Sequence, residues 1–202
     1  LVISMRFLIF LLASWVVELL GLVVVPLALP FRRVIEGTRQ KFAEYVGWWE
    51  LVRLPAWALW WDNPYDGMLG DKRGWWNNRT GDCRTLWSMF KWAAIRNPAN
   101  HFSRHVIGCD VSDCKIAKLH GHDVVSEEPG LRQWQLLCAL DNRGRRYFRF
   151  YLCFAYKRWP DHGLMIDLGW KIKLSHNGTA SDARPQDRYK GLVCVISPWK
   201  GL

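Results

Sequence analysis

From residue 7 to residue 31 the chain reads FLIFLLASWVVELLGLVVVPLALPF, an apolar run with one ionisable side chain, Glu18, closed abruptly by Arg32 and Arg33. At about 1.5 Å per residue, about 20 apolar residues cross a hydrocarbon core of about 30 Å, so this run predicts a membrane-spanning helix. Pro26 and Pro30 each lack a backbone donor and are expected to kink or end it near the membrane face. The pattern then turns amphipathic. Phe42, Tyr45, Val46, Trp49 and Val52 share one helical face while Lys41, Glu44 and Arg53 lie off it, which predicts a helix ending at Leu54-Pro55. Thr80-Gly81-Asp82 is a cap for a helix over residues 83–95, and Asn97-Pro98 opens a shorter one ending near Gly108.

After residue 130 the period changes to two. Residues 133–140 read as a strand, Asp141-Asn142-Arg143-Gly144 as a hairpin turn, and Trp159-Pro160-Asp161-His162-Gly163 as the next turn. Phe148, Phe150, Leu152, Phe154 and Tyr156 alternate with Tyr147, Arg149, Tyr151, Cys153 and Ala155, and Leu164, Ile166, Leu168, Trp170, Ile172 and Leu174 alternate with Met165, Asp167, Gly169, Lys171 and Lys173, a strand reaching residue 174. This is an antiparallel meander with one strongly apolar face, and the helices between residues 83 and 107 are its expected cover. Residues 192–197 are expected to return as a last short strand. The fold class is therefore α+β: an N-terminal transmembrane helix, then a compact domain with helices packed on an antiparallel β-meander. Its boundaries are residues 1–31 for the anchor, 32–61 for a juxtamembrane Trp-rich segment and 62–202 for the domain, a size that buries a core without disulfides.

Charge places the domain. Of 28 Lys and Arg only Arg6 precedes residue 32, and of 18 acidic residues only Glu18, so the part after the anchor carries the whole net charge of +10. Arg32, Arg33, Arg39 and Lys41 follow the run and Arg6 alone precedes it, so the positive-inside rule puts the carboxyl-terminal domain in the cytoplasm. The run is longer than the apolar core of a signal peptide and is expected to be a retained anchor. The six cysteines are scattered, which fits reduced thiols in a reducing compartment. A basic surface of this size favours nucleic acid or anionic lipid head groups, and it also serves solubility and topology.

Nine of the fourteen tryptophans fall between Trp48 and Trp92. Trp48, Trp49, Trp60 and Trp61, with Arg32 and Arg33, are candidate membrane-interface residues, because an indole offers one hydrogen-bonding edge on an apolar ring; an aromatic core is the alternative. Glu18 in mid-run is costly as an ion and marks a candidate helix contact, through which the chain would self-associate or bind a partner. Asp62, Asn63, Asp66 and Asp71 resemble a calcium loop only faintly, since Pro64 and Arg73 occupy two positions that need oxygen ligands.

Cys109, Cys114, His120 and His122 are candidate metal ligands. Their spacing matches none of the compact structural zinc patterns; zinc is the metal these side chains would take, and otherwise no cofactor is expected. A catalytic version would add Asp110, Asp113 or Asp123 as in metal-dependent hydrolases, without an accompanying motif. Tyr147, Arg149 and Tyr151 are expected on the exposed strand face, where aromatic rings and a guanidinium would stack and pair with a single nucleic-acid strand.

One amino-terminal span, Leu54-Pro55-x-Trp57-x-x-Trp60, a Gly70-Asp71 loop, Arg96-Asn97-Pro98-Ala99 and a closing Leu168-Gly169-Trp170-Lys171 occur in that order. This order resembles a family of small uncharacterised single-span membrane proteins of tailed bacteriophages and prophages, over residues 50–175. The resemblance implies a phage gene, a bacterial host and the host inner membrane, and it implies no activity; the Cys and His cluster is not part of the shared pattern. The expected function is that of a phage-encoded, membrane-anchored accessory protein, not an enzyme, whose basic cytoplasmic domain binds a phage or host protein or the membrane surface. A nucleic-acid-binding or processing domain and a metal-dependent hydrolase are the alternatives.

Overall fold

The computed structural model describes residues 5–35, 51–63, 85–176 and 188–202. The apolar run forms one helix, α1, Met5–Ala28, which runs through Pro26 and ends in a 3-10 turn, Leu29–Phe31, with Pro30 in its first positions. It is long and apolar enough to cross a membrane, with a mean hydropathy of 2.6 and little of it buried. The rest is a mixed α+β structure with an antiparallel sheet, as the period change predicts. The chain divides into two compact units, one of residues 1–11 with 103–202 and one of residues 12–102.

In the first unit five strands pair antiparallel in the order β4-β5-β6-β7-β9: Cys114–Gly121, Arg132–Asp141, Arg146–Ala155, His162–Trp170 and Leu192–Gly201. A two-residue pair, β3 at Cys109–Asp110 with β8 at Tyr189–Lys190, lies outside that sheet. The β5–β6 hairpin closes because Asp141 accepts from the backbone N–H groups of Arg143 and Arg145 at 3.0 and 2.8 Å, while Gly144 takes φ +75°. At Gly169 φ is +109° and a Cβ would lie 2.1 Å from the Phe148 carbonyl oxygen, so only glycine lets β7 approach β6 there. The strand expected to reach residue 174 ends at Trp170.

Period two offers two faces, and the covered face is the one carrying Tyr147, Arg149, Tyr151 and Cys153. The row Phe148, Phe150, Leu152, Phe154 is only half-buried. Within this unit the cover comes from Phe7 of α1, from Cys109 and Val111, and from Ile172, packed on Leu137, Ala139, Tyr147 and Trp170. Trp170 is fully buried and donates its indole N–H to the Ile107 carbonyl at 2.9 Å. Phe7 meets Phe148 and Trp170 edge to face at 5.1 and 5.9 Å, and the Arg6 guanidinium lies 4.7 Å from the Tyr147 ring centre. The amino end of the apolar helix is thus part of the core of the sheet unit.

In the second unit β1, Arg33–Ile35, pairs with β2, Leu51–Arg53. Residues 51–53 are therefore a strand where an amphipathic helix was expected; residues 41–50 of that helix lie outside the described residues. A 3-10 segment, Ala56–Trp61, follows, and Trp61 donates its indole N–H to the Val17 carbonyl of α1 at 2.7 Å. Gly21 makes the room: a Cβ there would stand 2.8 Å from Trp61 Cδ1. Asp62 holds the segment's ends together by accepting from the Leu54 N–H at 3.0 Å. Thr85 caps a helix, α2, Leu86–Phe90, by accepting from the Ser88 N–H, and a π-helical stretch, Lys91–Arg96, continues it. The expected cap at residues 80–82 lies outside the described residues.

Replacing Gly21 by Val is expected to expel the Trp61 ring and its hydrogen bond, at about 1–3 kcal/mol for overpacking. A lowered denaturation midpoint and a new protease-sensitive site near Trp61 would report it, and an unchanged midpoint would refute the contact.

Candidate functional site

Three surfaces have the make-up of a site. The first is a cavity of about 380 Å³ on the sheet unit, lined by Glu127, Gln135, Arg149, Tyr151 and Lys173 among others. Alternation along β6 turns Arg149 and Tyr151 to this side, opposite Gly169 and Asp167 of β7. Arg149 is nearly fully buried and bonds Asp167 in a fork, Nε to Oδ1 at 2.8 Å and Nη2 to Oδ2 at 2.9 Å, with Nη1 donating to the Ile172 carbonyl at 3.2 Å. Its guanidinium also lies 4.6 Å from the Tyr151 ring centre. Tyr151 donates to Glu127, which pairs with Lys200 at 2.9 Å.

Burial, and then the Glu127 carboxylate beside it, push the Tyr151 hydroxyl well up. Burial acts to raise Glu127 as well, but the Tyr151 hydroxyl and Lys200 outweigh it and hold the carboxyl below its ordinary value. Arg149 is paired with Asp167, and Glu127 with Tyr151 and Lys200. The arrangement is therefore a satisfied polar core and not a set of groups poised to transfer a proton.

A carboxyl held low stabilises the fold fully above its unfolded pKa, about 4.3, and loses that contribution as pH falls through the lower folded value. Glu127→Gln is expected to be less stable than the parent at pH 7 and to narrow that gap below about pH 4. Denaturation at the two pH values checks this, and a gap independent of pH would sink it.

The second surface is aromatic. Trp159 and Trp199, each about half exposed, meet edge to face at 5.5 Å; Tyr156 lies 5.8 Å from Trp199 and His162 stacks on it at 4.6 Å. The Arg158 guanidinium lies 5.3 Å from the Trp159 ring, beside the exposed Lys157. This cluster went unread in the sequence because Trp159 and Trp199 are forty residues apart and meet only through the β7–β9 pairing, His162 opposite Gly201.

The third surface is the outward side of α1. Met5, Leu8 and Ile9 are exposed in the sheet unit, and Leu12, Trp15, Val16, Leu19, Leu20 and Val23 in the other. At about 100° per residue these positions fall within one arc of about 160°. Phe7, Ser14, Val17, Gly21, Val25 and Ala28 make the opposite, covered stripe.

The residues singled out from the sequence are dispersed among these places. Tyr147, Arg149 and Tyr151 are buried, not on an open strand face: Tyr147 packs with Phe7, Val111 and Ile172, while Arg149 is held by Asp167 and the Ile172 carbonyl and Tyr151 by Glu127. Cys109 and Cys114 lie buried with their sulfurs 3.4 Å apart. Extended β4 carries His120 about 20 Å beyond Cys114, at about 3.3 Å per residue, and His122 follows just past its end, both exposed, so the four candidate ligands do not converge. Among the described residues no group of three or more His, Cys, Asp or Glu side chains could hold a metal ion.

Asp110 is held by Arg188 and Ser112, and Asp123 pairs with Lys118. Glu18 accepts from Ser14 within its own helix at 2.8 Å, which satisfies it locally. Arg33 is exposed, Arg32 partly so, and Trp60 is exposed, whereas Trp61 is buried against α1. Trp48 and Trp49, and the calcium-like loop beyond Asn63, lie outside the described residues.

One family matches the chain from residue 2 to residue 202. The chain belongs to it: a family of unknown function (DUF7338). No curated protein and no solved structure matches this DUF7338 chain.

Proposed function

We propose that this DUF7338 protein is a membrane-attached accessory protein without catalytic activity of its own. The apolar helix holds it to the host inner membrane, and the basic sheet unit stands on the cytoplasmic side, where it engages a phage or host protein. The observation that carries this reading is the exposed arc of α1. Isolated apolar residues on a surface need no explanation, but a continuous apolar face along a 24-residue helix demands a non-aqueous partner. The basic exit at Arg32 and Arg33 and the net charge of +10 support the cytoplasmic side and attraction to anionic lipid. The resemblance of its motif order to that of tailed-phage proteins supports a phage gene, and the internally paired polar cavity supports a binding role over chemistry. Fractionation of cells carrying a carboxyl-terminal reporter tests it. The protein is expected in the membrane fraction with the reporter active in the cytoplasm; recovery as a soluble protein, or a reporter active only in the periplasm, would refute it.

A second reading, binding of single-stranded nucleic acid, is favoured by the aromatic cluster and not by Tyr147, Arg149 and Tyr151. Trp159 and Trp199 are each about half exposed and stand with Arg158 and Lys157, aromatic rings beside cations being the combination that holds a single strand. Oligonucleotide binding by the detergent-solubilised chain should weaken steeply with salt and fall about tenfold or more in Trp159→Ala, Trp199→Ala. No binding at low salt ends this reading.

A further inference from the structure

We infer that α1 does not cross the bilayer but lies in the plane of one leaflet, with its exposed arc in the acyl region and its covered stripe on protein. This rests on the membrane attachment proposed above and specifies its geometry. Three contacts argue for it.

The first is at the amino end. Phe7 is buried in the sheet core against Phe148 and Trp170, and Arg6 stacks on Tyr147 and donates to its hydroxyl. A span with the sheet unit on the far side would have to pull these residues out of that core. The second is at the middle, where Trp61 bonds the Val17 carbonyl and fills the gap at Gly21. If the helix crossed, the 3-10 segment that carries Trp61, with the buried Asp62 and Asn63 beside it, would sit at hydrocarbon depth; irregular backbone is not tolerated there against lipid. The third is the division of the helix surface. A helix that is apolar all round is a span or a core helix. Here the two sides have different reasons to be apolar, since one faces protein and the other is open.

The open side fits lipid more closely than a second protein chain. No ionisable group falls inside the arc: Arg6 and Glu18 lie at its two edges, and Arg32 and Arg33 stand just past the carboxyl end. An uncharged apolar strip bordered by arginines matches an acyl layer under anionic head groups.

The test uses the full chain in bacterial membranes. Cys83, Cys138 and Cys194 are replaced by Ser, the buried Cys109, Cys114 and Cys153 are kept, and one reporter thiol is added, either Met5→Cys or Gly201→Cys. Met5 is exposed, and a side chain at Gly201 meets nothing within 4 Å. A membrane-impermeant maleimide is applied to intact spheroplasts and to inverted vesicles. Gly201→Cys is expected to label in inverted vesicles and not in spheroplasts, and Met5→Cys, set in the acyl region, to label in neither until detergent is added. Labelling of Met5→Cys in spheroplasts with Gly201→Cys in inverted vesicles shows a crossing helix and overturns the inference while leaving membrane attachment intact. Recovery of the parent chain as a lipid-free soluble oligomer overturns both, because a second copy then covers the arc.

Discussion

Replacing Asp167 by Ala is expected to destabilise the sheet unit by about 3–5 kcal/mol, since it strands a buried guanidinium. Arg149 and Asp167 each have side chains only 11% exposed, so water cannot take the place of the missing carboxylate. The fork of two bonds at 2.8 and 2.9 Å also fixes β6 against β7 two residues from the positive-φ Gly169. Removing both charges is a different experiment. Arg149→Met, Asp167→Leu leaves no ion to desolvate, and a buried pair replaced by apolar groups of similar volume is often neutral or stabilising. The Ile172 carbonyl, which accepts from Arg149 Nη1, then goes without that donor, a cost of about 1–3 kcal/mol. The double variant should therefore be clearly more stable than Asp167→Ala. Chemical denaturation followed by circular dichroism measures the series, and equal destabilisation of the single and double variants would show that the ion pair is not what Asp167 supports.

Leu12→Asp, Leu19→Asp is expected to release the protein from membranes. Each leucine withdrawn from an apolar phase forfeits about 1.5–3 kcal/mol, and each aspartate placed there adds about 2.5–3.5 kcal/mol at full depth. Even half of the combined effect is about 4 kcal/mol, roughly a thousandfold in partition. Leu12 and Leu19 are 60% and 68% exposed, so the substitutions disturb no internal packing and the sheet unit should keep its fold. Val124→Asp, at an exposed position away from the helix, is the control and should leave partition unchanged. Flotation with vesicles of phosphatidylethanolamine and phosphatidylglycerol reads the result. A double variant that still floats fully would mean that the exposed arc is not what touches lipid.

Much of the fold was legible because its signals are local. Asp141 to Gly144 makes its turn through hydrogen bonds within five residues, and the strands on either side alternate as expected. The site was legible in much smaller part. Cys114, His120 and His122 are close in sequence, but an extended strand is the conformation that separates such neighbours most, and β4 buries only Cys114 and Ile116, too short an alternation to signal a strand. Trp159 and Trp199 are distant in sequence and meet through strand pairing, which no window of the sequence contains.

By itself the sequence determined that the chain opens with an apolar helix, that a basic α+β structure follows, and where the sheet's hairpins turn, since length, charge and period-two alternation are properties of contiguous residues. Only the tertiary structure decided which sheet face is covered, which is why Arg149 and Tyr151 are a buried polar core instead of an open surface. It also decided that the amino end of the apolar helix belongs to the sheet core. A membrane and a protein core favour the same side chains, so the apolar run could not distinguish them; the contacts of Phe7 and Trp61 show which of its residues face protein.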